Sequence, residues 1–149
     1  MRLGEFLDKD LVLADLNAKG KSEVLAELIR PVVGKLESFD QDKALKVLLE
    51  RESLGTTGIG EGIAIPHGKL DSVDRILLVV GRSVEGVEFD ALDFKPCTIF
   101  FLVLAPEQVA GMHLRVLAHI SRLLKDEGFR REFLSAPDKE ALWKLLSET

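Results

Sequence analysis

Apolar residues recur along this chain with two different periods. Leu11-Val12-Leu13-Ala14 is a run of strand length, after which Val24, Leu25, Leu28, Ile29, Val32, Val33 and Leu36 return every three or four positions and predict a helix buried on one face. Pro31 falls inside that stretch and predicts a bend or split, because its ring removes a backbone donor. Asp40 precedes a second periodic stretch through Ala44, Leu45, Leu48 and Leu49 and is read as its N-cap. That helix is expected to end near Arg51 and Glu52, before a turn-rich segment from Ser53 to Gly62.

Three strand-like segments follow: Ile63-Ala64-Ile65, Ile76-Leu77-Leu78-Val79-Val80, and Thr98 to Leu104. The last two scarcely alternate, as strands covered on both faces do. Helical spacing then returns in Leu114, Leu117, Ile120 and Leu124, in Phe129 and Phe133, and in a final helix capped by Asp138 through Leu142, Leu145 and Leu146. Strand, two helices, several strands, then helices is a grouped order. It predicts an α+β fold, a three-layer α/β/α sandwich around a small mixed β-sheet, with residues 1–149 as a single domain.

Composition narrows the class. The 149 residues are 46% hydrophobic and 30% charged, a balance that excludes wholesale disorder. The longest apolar run, Thr98 to Ala105, is far short of the ~20 residues of a spanning helix, and the N-terminus lacks a signal-peptide layout, so a cytoplasmic location without membrane insertion is expected. The lone Cys97 forms no internal disulfide. Net charge is −5 with Lys and Arg interleaved among Asp and Glu, which argues against nucleic acid and suits a basic protein partner.

The densest chemistry lies in Gly58-Ile59-Gly60-Glu61-Gly62-Ile63-Ala64-Ile65-Pro66-His67-Gly68-Lys69. Its glycines precede a strand, whereas a dinucleotide fingerprint needs them between strand and helix, so that reading is rejected. Pro66 fixes the approach to His67, and Gly68 is read as removing a side chain that would crowd the imidazole. His67, His113 and His119 come without a cysteine cluster, an HExxH or an HxH pattern, so neither a metal nor another cofactor is expected. No serine sits in a nucleophile elbow. A stiffly presented histidine keeps two further uses, general acid/base and nucleophile toward a phosphoryl group.

The stretch Arg51-Glu52-Ser53-Leu54-Gly55-Thr56-Thr57-Gly58 through Ala64-Ile65-Pro66-His67-Gly68 resembles the phosphorylation-site signature of the IIA domains of the fructose/mannitol class in the bacterial phosphoenolpyruvate:sugar phosphotransferase system. The likeness runs from about Leu3 to Leu146 and is nearest to the nitrogen-regulatory branch. It implies a phosphohistidine carrier, a transferase if counted as an enzyme, in which HPr or an HPr-like protein donates to His67. It also implies a second active-site histidine, which His113 matches after Leu102-Val103-Leu104-Ala105-Pro106. The implied downstream partners are regulatory target proteins or a IIB component. With no IIB domain or linker in the sequence, a phosphorylation-dependent regulator of the nitrogen/potassium type is expected first, and transfer to a IIB cysteine in sugar uptake second.

Simple chemistry assigns the supporting roles. A transferred phosphoryl group brings roughly −1.5 to −2 charges by analogy with phosphorylated hydroxyls. Arg51 offers a planar fork and His113 a ring N–H, with further N–H donors expected from the glycine-rich loop or from the helix starting near Met112. Arg51 is equally placed to meet the macrodipole at a helix end, and His113 to pack with Leu117 and Ile120. Glu61 either orients an imidazole or guanidinium or is an exposed loop acid. Ile63, Ile65 and the glycines are expected to ring the site as an apolar contact surface. A third reading, an interaction module that is never phosphorylated, has no use for the Pro66-His67-Gly68 site.

Overall fold

The computed structural model describes all 149 residues. Strand β1 (Leu7–Leu13) leads to helix α1 (Lys21–Ile29), and a 3₁₀ turn over Arg30–Gly34 holds Pro31 at its start, so the proline ends the α-helix where a bend was expected. Helix α2 (Gln41–Ser53) opens on Asp40, whose side chain accepts a hydrogen bond from the Lys43 N–H at 3.1 Å. Three short strands follow, β2 (Gly58–Gly60), β3 (Ile63–Ala64) and β4 (His67–Lys69), then two long ones, β5 (Leu77–Val87) and β6 (Cys97–Ala105). Helices α3 (Met112–Lys125), α4 (Glu127–Ser135) and α5 (Lys139–Ser147) finish the chain, the last two capped by Asp126 and Asp138.

The sheet is mixed, in the order β1-β5-β6-β3-β2, with β4 also paired to β6. β1 and β5 run parallel, β5 and β6 antiparallel, and β3 and β4 both run parallel to β6. Ile63 pairs with Ile99 and His67 with Val103, so β3 and β4 follow one line along β6 without a change of register. β6 lies inside the sheet and is buried on both faces. Phe100, Leu102 and Leu104 join the core under α1 and α2, and Ile99, Phe101 and Val103 join the core under α3, α4 and α5. These two cores are the three-layer α/β/α sandwich that the grouped order of elements predicts.

Two elements depart from the sequence reading. β5 runs on past Val80 through Arg82 and Ser83, both buried. A central strand tolerates this cation because its Nε donates to the Ala14 carbonyl at 3.1 Å and its Nη1 to the carbonyls of Phe133 and Ala136 at 3.1 and 2.6 Å. In α3 the buried stripe is Val116, Ile120 and Leu124, while Leu114 is 60% exposed. The helix is thus rotated from the expected face, which turns Leu117 and His113 toward the edge of the sheet.

Candidate functional site

His67 stands at the start of β4, a strand with β6 on one side and no strand on the other. Here the sheet edge is bracketed by α2 from one face and α3 from the other, leaving a cleft of about 560 Å³. Val47, Glu50, Arg51, Ser53 and Leu54 line it from α2 and the residue that ends it, His113 and Leu117 from α3, and His67 and Lys69 from β4. Three of the four residues expected at a site, His67, His113 and Arg51, therefore meet in one place although 62 positions separate Arg51 from His113 in the chain.

The strand register decides how the imidazole is presented. Residues 63, 65 and 67 share one face, and Ile63 and Ile65 are buried in the core beneath α3. His67 is the next position on that face, half-buried where the core gives out. Its Nδ1 lies 3.0 Å from the Ile65 carbonyl oxygen. A carbonyl only accepts, so Nδ1 carries the proton and, in the neutral ring, Nε2 holds the lone pair. The backbone thereby fixes both the tautomer and the tilt of the ring. Gly68 also admits α2 to the sheet, since a Cβ there would sit 2.9 Å from Val47 Cγ1.

His113 is the second residue of α3, after Gly111 in a left-handed conformation with φ of 79°. Burial, then the charge of Lys69 and then that of His67, hold its pKa below the ordinary histidine value, so it is neutral at pH 7. Its Nδ1 is buried and has no hydrogen-bond partner in the protein. Arg51, in the last turn of α2, donates from Nη1 to the Gly55 carbonyl at 2.9 Å, which pins the loop leaving the helix. The Met112 and Leu114 N–H groups, at the start of α3, already donate to the Val109 and Gly111 carbonyls, at 3.0 Å each.

The remaining expectations fall elsewhere in the molecule. None of the cleft-lining residues comes from Gly58 to Gly62. Glu61 forms the β2–β3 turn with φ of 57°, where its N–H donates to Asp93 Oδ2 at 3.2 Å. Ile63 and His67 pair with positions four apart on β6, Ile99 and Val103, so His67 lies roughly 13 Å along the sheet from the strand end next to the Glu61 turn, too far for Glu61 to orient that imidazole. Ile63 and Ile65 are buried rather than ringing the site, and the exposed apolar residues near the cleft are Leu54, Met112 and Leu114. His119 sits on another part of α3, with Nε2 3.4 Å from the Thr149 carbonyl oxygen. Cys97 is buried and its thiol is pushed up to about 12 by desolvation, then by Asp93 and Glu52, which keeps it unreactive. No group of three or more His, Cys, Asp or Glu side chains is arranged to hold a metal ion.

Sequence reasoning missed Glu52 and Lys69. The Glu52 carboxylate is buried, accepts from the N–H and hydroxyl of Thr57, and pairs with Lys21 Nζ at 3.0 Å. It anchors the far end of the loop that Arg51 anchors at its near end. The only sequence signal was its place beside Arg51 at a helix end, which equally suits a solvated acid.

Residues 5–149 match the family described as phosphoenolpyruvate-dependent sugar phosphotransferase system, EIIA 2. The chain belongs to this family. It is 33% identical over 147 residues to the nitrogen regulatory protein of Bradyrhizobium diazoefficiens, covering 99% of this chain and 95% of that one. It is 43% identical over 109 residues to the fructose-specific EIIA component of Haloferax volcanii, 73% of this chain and 71% of that one. The crystal structure of the nitrogen regulatory protein IIA-Ntr from Neisseria meningitidis superposes with a TM-score of 0.89 at 30% identity, covering 97% of this chain and 98% of that one. The IIA fold identified here holds no helix long and apolar enough to cross a membrane.

Proposed function

We propose that this IIA domain, residues 1–149, is a phosphohistidine carrier in which His67 Nε2 takes a phosphoryl group from HPr or an HPr-like protein. The observation that carries the reading is the hydrogen bond from His67 Nδ1 to the Ile65 carbonyl, which leaves Nε2 as the free nucleophile in an open cleft. In the transfer, a bond forms between His67 Nε2 and phosphorus while the P–N bond of the donor's protonated phosphohistidine breaks. The electron pair stays with the donor ring, which leaves as a neutral imidazole. His67 retains its Nδ1 proton, so no base is required, and the reaction rests on positioning and charge stabilisation. His113, neutral and at the opposite wall, donates to a phosphoryl oxygen, and Arg51 supplies a fixed positive charge.

Phosphorylation would place about two negative charges among Leu54, Met112 and Leu114, so an apolar contact made by one state is disfavoured in the other. That is the property a regulator needs. The match over nearly the whole length of a nitrogen regulatory protein favours phosphorylation-dependent regulation. The higher identity to a fructose-specific component supports a second reading, in which the group passes on to a IIB cysteine. Incubation with phosphoenolpyruvate, enzyme I and HPr, or their nitrogen-branch counterparts, tests the carrier reading. The expected product is an acid-labile mass increase of one phosphate on His67, and folded protein that gains no label with either donor set would contradict it. Discharge to a purified IIB cysteine would select the sugar-transfer reading.

A further inference from the structure

Lys69 occupies a position that the transfer chemistry leaves unexplained. It lies two residues after His67 on the same strand, and side chains at that spacing project from the same face. It lines the same cleft as His67, His113 and Arg51. Lys9, Lys19, Lys21, Lys35 and Lys43 each lie against a carboxylate, and of the six lysines with no carboxylate within 4 Å, Lys69 alone lines the cleft. An ammonium left without an anion beside a nucleophilic histidine is matched to an anion that arrives later.

We propose that Lys69 is the counter-ion of the phosphorylated state, pairing with the phosphoryl group on His67 and thereby setting how far transfer from the donor proceeds. This deepens the carrier reading and rests on it. The physical argument concerns two states of one site. In the unphosphorylated cleft Lys69 makes no ion pair, so removing its charge loses nothing there. In the phosphorylated cleft a dianion sits at the neighbouring side chain, and a charge-assisted contact forms that the other state lacks. An interaction made in one state alone shifts the equilibrium between them. Arg51 does not replace it, since one arm of its guanidinium is already held by Gly55. Its fork also suits geometric orientation, whereas a lysine on a flexible stem follows the group as it moves between rings. The charge of Lys69 also acts on His113, consistent with both side chains lining one cleft.

The test is the equilibrium partition of phosphate between the donor protein and wild type, Lys69→Gln or Lys69→Arg. Among free proteins at equilibrium the strength of donor docking cancels, so partition isolates the energy of the phosphorylated state. Lys69→Gln is expected to shift the equilibrium constant toward the donor by about five- to tenfold, the scale of one charge-assisted contact in a partly solvated cleft. Lys69→Arg is expected to stay within about twofold of wild type, and added salt should narrow the gap between wild type and Lys69→Gln. Thermal unfolding checks that both variants fold, as substitution of an exposed strand residue predicts. An unchanged partition for Lys69→Gln, with forward and reverse rates reduced equally, would overturn the proposal and make Lys69 a docking contact. Wild type that takes no label at all would instead remove the carrier reading beneath it.

Discussion

The two ends of the β3–β4 line make opposite use of one continuous motif. At the hairpin end, Gly58 leaves no room for a side chain, since a Cβ would lie 2.9 Å from both Cα and Cβ of Ala91, and the Glu61 N–H is held by Asp93. At the cleft end, Nε2 of His67 and the ammonium of Lys69 have no protein partner. A run of a dozen residues is thus scaffold at one end and chemistry at the other. Groups already satisfied by the fold hold shape, and groups left unsatisfied are the ones available to a ligand. Proximity in sequence says little here, because a strand moves each successive residue ~3.3 Å further away.

The contrast is sharpest in phosphoryl acceptance. His67→Gln removes the nucleophile and is expected to lower labelling by more than about 10³-fold while the unfolding midpoint stays near wild type. Residual labelling at the wild-type rate would move the site elsewhere. His113→Ala is expected to slow transfer by about 10²-fold with donor affinity little altered, as loss of one donor to developing charge does. Rapid-quench rates at saturating donor check this.

At the structural end of the comparison, Glu52→Ala strands Lys21 and frees Thr57. It is expected to cost roughly 2–3 kcal/mol in denaturant unfolding, within the range for breaking a buried hydrogen-bonded pair. Glu61→Gln, outside the cleft and beyond the far end of β3, is expected to change transfer less than about twofold. A large loss of transfer in that variant would break the division between the two ends.

The smallest effect is on pH. His113 titrates lower in the folded protein than in the unfolded chain, so as pH falls through the ordinary histidine range the unfolded state takes up a proton that the folded state refuses. Stability is therefore present above that range and lost on acidification. His113→Gln is expected to flatten the dependence of the thermal midpoint between pH 7 and 5.5, a difference of no more than about 2–4 °C.

Much of this arrangement was legible in the sequence because its causes are local. Asp40 and Asp138 cap the helices assigned to them, Pro31 ends α1, and the near-continuous run from Thr98 to Leu104 is a strand buried on both faces. His67, His113 and Arg51 were identified by residue type and motif, and the fold brings them together. What escaped depends on partners distant in the chain. Arg82 reads as a strand breaker until carbonyls from Ala14, Phe133 and Ala136 satisfy it. The true stripe of α3 passes through Val116 rather than Leu114, and two registers one residue apart look alike in a helix rich in leucine. Lys69 has no signature of its own, since an unpaired ammonium is defined by the absence of an anion in space.

The central claim is that the carrier nitrogen is Nε2 of His67, the one the Ile65 carbonyl leaves free. Phosphorus–nitrogen coupling in the nuclear magnetic resonance spectrum of ¹⁵N-histidine-labelled, phosphorylated protein reads this directly. The account predicts a single phosphohistidine coupled at Nε2 of His67, with Nδ1 still protonated. Coupling at Nδ1, or at the ring of His113 or His119, would contradict it.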